Sequence, residues 1–262
     1  MITSLTFSNL KLGNAMFVYS ALKAICTKNN YQLKLPNIQI FNDFNLKIEE
    51  LKEADKHQLK YQIITEEFPY NEQFFNIPDN TNMFNYFQSE KYFLNIRDEL
   101  LNDFSLKEEL NKPVEELYNQ LKGDSNRTLI SIHIRRTDYL DPRYSSFHPV
   151  CSMEYYKEAL KQFDEIENKF FVICSDDIEW CKENFSFLQP NVYYSVGLKN
   201  SQDMILMSKC EHNILANSSF SLFSTFLNKN NNKIVIAPKK WFGIYDINHN
   251  TKDLYPKGCI II

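Results

Sequence analysis

The chain has 262 residues, 44% of them apolar and 15% aromatic, with a formal net charge of −4 at pH 7. That length can hold one large or two moderate domains with substantial cores, while the mild acidity excludes a general binder of nucleic acid or acidic membrane, because both need a basic face. No long uninterrupted apolar run and no basic-then-apolar leader stands in the sequence, so the expectation is a soluble cytoplasmic protein.

In chain order, Ile2–Phe7 reads as a strand, Gly13 and Asn14 as a turn, Ala15–Lys28 as a helix and Tyr31–Leu35 as a second strand. The nine aromatics between Phe68 and Phe93 read mostly as core. Ser89 to Leu121 has helical spacing with a break expected near Pro113. Gly123–Arg127 is the most linker-like stretch, which places the expected domain division at residues 1–125 and 126–262.

Beyond it, β-rich apolar runs alternate with helical stretches. Leu129–Ile134, Phe170–Cys174, Val192–Val196, Asn213–Ala216 and Lys233–Ala237 read as strands; Met153–Phe163, Ile178–Phe185, Gln202–Lys209 and Phe220–Leu227 read as helices. This pattern is that of a Rossmann-like half with a parallel sheet, whose ligands sit at the carboxyl ends of the strands. Two such α/β domains facing one another would leave a cleft for a small molecule.

Chemistry concentrates at a few places. Among 29 basic residues there are five arginines, and three of these, Arg135, Arg136 and Arg143, follow the Leu129–Ile134 strand. The planar guanidinium matches phosphate or carboxylate in two-point fashion, so an arginine cluster at a strand end points to an anionic ligand. Strand alternation sends His133 and Arg135 to one side and Arg136 to the other, one arginine meeting the ligand while its neighbour is tied down, with Asp138 the nearest partner. Ala216–Ser221 (ANSSFS) feeds a strand end into a helix start, where N–H groups and the hydroxyls of Ser218, Ser219 and Ser221 offer a phosphate seat; ordinary capping is the simpler account. Asp203 opens a helix, as acids often do, but a carboxylate also matches the paired N–H donors of guanine. Asp176 and Asp177 suggest helix caps more than a metal site. The six cysteines are scattered and read as reduced core thiols. No G-x-G-x-x-G or G-K-[ST] element occurs.

These residues together resemble glycosyltransferase family 11, the α-1,2-fucosyltransferases. The similarity is carried by LGNAMFVY (Leu12–Tyr19), NYFQSEKYF (Asn85–Phe93), HIRRTDY (His133–Tyr139), SDD (Ser175–Asp177), DMILMSKCEHNILANSSFS (Asp203–Ser221) and APKKWF (Ala237–Phe242). The resemblance implies a GT-B-like α/β architecture of two Rossmann-like domains and an inverting transfer of fucose from GDP-fucose to a glycan hydroxyl, without a required metal or other cofactor. It also implies that Arg135 contacts the donor β-phosphate beside Arg136, that His133 lies against the donor and that Asp203 reads guanine. Gly13 and Asn14 would approach the donor from the first domain, and Ser218, Ser219, Phe220 and Ser221 would meet the phosphates. Thr137 stands where the family commonly has glycine, Ala15 where it has glutamine, and Leu222-Phe223 where it has a tryptophan pair.

For a base that takes the acceptor proton, Asp138, Asp141 and His148 are all candidates. Transfer of another sugar, a protein acceptor, or a nucleotide-sugar or glycan binder without turnover are the alternative functions.

Overall fold

The computed structural model describes residues 1–65, 69–123, 127–243 and 250–262, so Phe68 and most of the expected linker lie outside the described residues. The chain divides into two compact units, residues 1–107 with 250–254, and residues 108–249 with 255–262.

The first unit carries a three-stranded parallel sheet. β1 (Ile2–Thr3) pairs with β5 (Thr81–Phe84), which pairs in turn with β4 (Tyr61–Ile64). A separate parallel pair joins β2 (Lys34–Leu35) to β3 (Glu49–Glu50). Helix α1 (Leu12–Asn29) is buried on nearly every side, with Gly13, Ala15, Ala21 and Ala24 allowing close approach, and it ends on Asn30 in the left-handed conformation (φ 56°). The expected turn at Gly13 and Asn14 is therefore the first turn of α1, and β1 stops at Thr3 because Phe7–Asn9 winds into a 3-10 turn. Aromatics fill the core as expected: Phe74, Phe75, Phe84, Phe87, Tyr92 and Phe93 are buried. Residues 250–254 return to this unit through Asp253, which accepts from the Tyr70 N–H at 2.9 Å and pairs with Lys91 at 2.6 Å.

Helix α2 (Arg97–Asp103) ends the first unit, and α3 (Glu108–Lys122) begins the second. The break falls at residues 104–107 rather than at Pro113, which sits inside α3. The units accordingly divide at Lys107, upstream of the expected residue 125. Val114 and Leu121 give α3 an apolar face buried within the second unit, and the Gln202 amide donates to its Leu110 carbonyl at 2.9 Å.

The second unit is a six-stranded parallel sheet built from β6 (Thr128–Ile134), β7 (Lys169–Ser175), β8 (Val192–Tyr194), β9 (His212–Ile214), β10 (Val235–Ala237) and β11 (Ile260–Ile261). Its order, β8-β7-β6-β9-β10-β11, is the doubly wound 3-2-1-4-5-6 arrangement. Every expected strand and helix of this half is present. β6 and β7 are buried on both faces and so read as continuous apolar runs. Ile130, Ile132 and Ile134 of β6, with Phe171 and Ile173, pack against Tyr156, Ala159 and Leu160 of α4 (Met153–Lys161) and Cys181 of α5 (Ile178–Asn184). The other face lies under α6 (Asn200–Lys209) and α7 (Ser219–Leu227). Strand order reverses between β6 and β9, and the carboxyl ends of these two strands are where such sheets bind ligands.

Candidate functional site

His133 near the end of β6 and Arg136 just beyond it project to opposite faces of the sheet. His133 turns to the α7 face, its ring 5.2 Å from that of Phe220, across the reversal point of the sheet. Arg136 turns to the opposite face, its guanidinium carbon 3.7 Å from the centre of the Trp180 ring on α5 and its Nε donating to Asp177 Oδ2 at 3.0 Å. The tie on Arg136 is thus Asp177, which also caps α5 by accepting from the Trp180 N–H at 3.4 Å; Asp138 belongs to the other arginine.

Arg135 pairs with Asp138 at 2.7 Å and with Asp176 at 3.3 Å. Burial works against its charge, but the bond to Asp138 and the field of Asp176 outweigh that and hold it protonated. Asp176 fixes the turn that carries Arg135, accepting from the N–H of Arg136 at 2.9 Å, the N–H of Thr137 at 3.2 Å and the Thr137 hydroxyl at 2.5 Å. The Thr137 hydroxyl adds a tie to this turn. The third arginine does not join: Arg143 is exposed and closes on Asp141 at 2.5 Å.

His133 is fully enclosed, so burial, with the charge of Arg135 added, pulls its imidazole down to about 3, and it is neutral at ordinary pH. Its Nδ1 has no partner among the described residues, and its carbonyl accepts from the buried Tyr156 hydroxyl at 3.1 Å. A buried ring nitrogen without a partner beside a guanidinium is costly unless a ligand completes it.

On the β9 side, Ser218 caps α7 by accepting from the Phe220 N–H at 3.3 Å. The hydroxyl of Ser221 turns inward to the carbonyls of Ala216 at 3.2 Å and Ser218 at 3.1 Å. The first-turn N–H groups of Ser219 and Ser221 have no intrahelical acceptor. Asn217 pins this loop, donating to the carbonyls of Pro149 and Trp241, both at 2.9 Å, and its own carbonyl accepts from Tyr139 at 3.0 Å. The Arg135 guanidinium lies 5.8 Å from the Tyr139 ring, so one tyrosine links the arginine turn to the start of α7.

Asp203, in the first turn of α6, reaches the ends of β7 and β8. Its Oδ1 accepts from Ser195 Oγ at 2.6 Å and from Cys174 Sγ at 3.8 Å. Burial pushes its carboxyl up to about 6 despite those two donors. Ser195 and Cys174 were not singled out from sequence, although both lie at carboxyl ends of strands.

Among the base candidates, Asp141 is held at about 2 by its bonds to Arg143. His148 stacks on Tyr139 at 5.0 Å and abuts Phe147 and Phe242. Gly13 and Asn14 lie in the first unit, where Asn14 accepts from the Gln88 amide at 2.9 Å. Among the described residues no cluster of three or more His, Cys, Asp or Glu could hold a metal ion, and no helix is long and apolar enough to cross a membrane.

The family model described as Glycosyl transferase family 11 matches residues 4–257. The chain is 37% identical over 167 residues to the O-antigen biosynthesis glycosyltransferase WbnK of Escherichia coli, with 61% of this chain and 55% of that protein covered. It is 34% identical over 169 residues to an alpha-1,2-colitosyltransferase of Escherichia coli, with 62% and 57% covered. It is 28% identical over 145 residues to human galactoside alpha-(1,2)-fucosyltransferase 1, with 52% and 40% covered. The chain thus spans little more than half the length of the first two relatives. Among solved structures, NodZ alpha-1,6-fucosyltransferase soaked with GDP-fucose superposes with a TM-score of 0.52 at 14% identity, over 86% of this chain and 91% of that one. POFUT1 in complex with GDP gives 0.53 at 7% identity, over 88% and 95%. These likenesses show the fold, a GT-B-like α/β chain with parallel sheets, as the resemblance implied.

Proposed function

The chain belongs to glycosyl transferase family 11, and on that premise we propose that it transfers L-fucose from GDP-fucose, with inversion, to a hydroxyl of a glycan acceptor. The observation that carries this reading is the meeting of His133 and Phe220 across the reversal point of the sheet, which brings the arginine turn beside the amino end of α7. An anion there has a guanidinium on one side and helix N–H groups on the other.

In the proposed reaction the acceptor hydroxyl attacks the anomeric carbon as the bond to the β-phosphate breaks, through a transition state of oxocarbenium character. Negative charge grows on the departing diphosphate. Arg135 supplies fixed positive charge to it. Its ion pairs with Asp138 and Asp176 orient the planar fork, whose N–H donors suit phosphate oxygens. The N–H groups of Ser219 and Ser221 supply further fixed dipoles, and donors aimed in this way each typically lower a barrier by about 3 kcal/mol. The reading assigns neutralisation of GDP to these groups rather than to a metal. His133, neutral with its Nδ1 unpartnered among the described residues, packs against the donor, and Asp203 takes guanine. Arg136 serves the site by holding the turn to α5.

For the proton, Asp141 is a weak base, because its bonds to Arg143 keep its carboxylate stabilised. Asp138 is committed to Arg135. A loose transition state asks little of a base, so no single strong one is assigned.

A second reading has one observation in its favour: a relative at 34% identity is named a colitosyltransferase, so the transferred sugar would be colitose. Parallel incubations with GDP-fucose and GDP-colitose, a terminal β-galactoside acceptor and linkage analysis of the product test both. Fucose on O2 of galactose supports the first reading, and consumption of neither donor overturns both.

A further inference from the structure

Resting on the reading of Asp203 as the guanine-recognising group, we propose that Ser195 is a positioning residue for nucleobase selection, its hydroxyl holding the Asp203 carboxylate so that it accepts two adjacent N–H groups. The backbone fixes the donor first. Ser195 follows β8 directly, and its N–H bonds the Ile173 carbonyl of β7 at 2.8 Å, so the residue extends the ladder by one step at the carboxyl end of the sheet. Its side chain is buried, and Oγ donates to Asp203 Oδ1 at 2.6 Å.

The contacts on Asp203 are one-sided. Ser195 and the Cys174 thiol both reach Oδ1, while Oδ2 has no hydrogen bond among the described residues. A carboxylate that served only to cap α6 would accept from the N–H groups of its own helix. This one takes donors from β7 and from the residue that follows β8, at the strand ends where a doubly wound sheet binds its ligand.

Among the described residues, the groups that meet Asp203 are neutral: Ser195, Cys174 and Tyr193. Cys174 and Tyr193 are both held above their usual values, each chiefly by burial, and no cation pairs with Asp203 among the described residues. The Ser195 hydroxyl is therefore the shorter of two neutral contacts that favour the ionised acid. A carboxylate pinned at one oxygen and open at the other suits a base that offers a ring N–H beside an exocyclic amino group. Guanine offers both, hypoxanthine only the ring N–H, and adenine presents an acceptor at the ring position.

The test is calorimetric titration of the wild-type chain, Ser195→Ala, Ser195→Thr and Ser195→Cys with GDP, IDP and ADP between pH 5 and 8. Taking the ratio of GDP to ADP affinity at each pH cancels the ionisation of the phosphates. Wild type is expected to prefer GDP, then IDP, then ADP, with the ratio rising through a midpoint near pH 6 as Asp203 ionises. Ser195→Ala is expected to lose about tenfold for GDP with ADP unchanged, the gap from GDP to IDP shrinking and the midpoint moving up. Ser195→Thr keeps both properties, and Ser195→Cys, a weaker donor, falls between. An Ala variant with the wild-type ratio and midpoint overturns the positioning role and leaves Asp203 as the guanine reader. A wild-type chain that does not favour GDP over ADP overturns the reading of Asp203, and this role with it. If Ser195→Ala does not fold, a Cys variant matching wild type in ratio and midpoint is the overturning result.

Discussion

The guanidinium of Arg136 lies flat enough on Trp180 to bring its central carbon within 3.7 Å of the ring centre, while Arg135, one residue earlier, points to Asp138 and Asp176. Two adjacent arginines are therefore held differently: the first is oriented by two carboxylates and is the proposed anion-binding group, the second ties the β6 turn to α5. Replacing Arg136 with Met is expected to cost about 1–3 kcal/mol of stability through loss of the stacked cation and the pair with Asp177. It should leave kcat within about tenfold of wild type. Thermal unfolding and donor turnover, measured on the same preparation, check it.

Arg135→Ala should show the reverse balance. Losing the fixed charge beside the departing diphosphate is expected to lower kcat by about 10² to 10³, with a melting temperature within a few degrees of wild type. Arg135→Lys should not restore the rate, because an ammonium cannot bridge Asp138 and Asp176 and still present a planar fork to phosphate. An Ala variant with near-wild-type turnover removes Arg135 from the mechanism.

Asp203→Asn should stabilise the ligand-free protein at neutral pH. The folded-state carboxyl is raised to about 6 from its usual 3.8, so its contribution to stability is fully present below pH 3.8 and is lost as pH rises through about 6. The amide has no charge to bury, so the variant gains about 1–2 kcal/mol at pH 7.5 and nothing at pH 3.5, while GDP affinity falls. Urea unfolding at the two pH values reads the sign directly.

Gly243 supports the loop that carries His148. Its N–H donates to the Phe147 carbonyl at 2.7 Å, and a Cβ built there would stand 1.7 Å from the carbonyl oxygen of Ser146. The obstacle is backbone, which cannot swing aside as a side chain can. Gly243→Ala is therefore expected to cost about 1–3 kcal/mol and to displace residues 144–148, seen as a lowered melting temperature and faster amide exchange in that loop.

The second unit was legible because its signals are long. Seven-residue runs such as β6 and β7 read as buried strands, and α4 and α5 carry apolar residues at helical spacing. The proposed anion site could be drawn from sequence for the same reason, as arginines and a serine-rich helix start both follow strands. The first unit was harder: its strands run two to four residues and are joined by 3-10 turns, too short for either periodicity to show. Pro113 did not end α3, whose apolar residues Val114 and Leu121 are buried in the second unit. Which acid holds which arginine depends on β7 lying beside β6, a matter of sheet order that no local pattern carries. The same is true of Ser195, whose meaning comes only from Asp203 standing opposite it.

The central claim is that a nucleoside diphosphate seats its phosphates between Arg135 and the amino end of α7, with its base at Asp203. A crystal structure of the chain with GDP tests this most directly. The account predicts β-phosphate oxygens within hydrogen-bond distance of the Arg135 guanidinium and of the Ser219 or Ser221 N–H, and guanine donors on the Asp203 carboxylate. GDP bound elsewhere, with Arg135 still engaged only by Asp138 and Asp176, would contradict it.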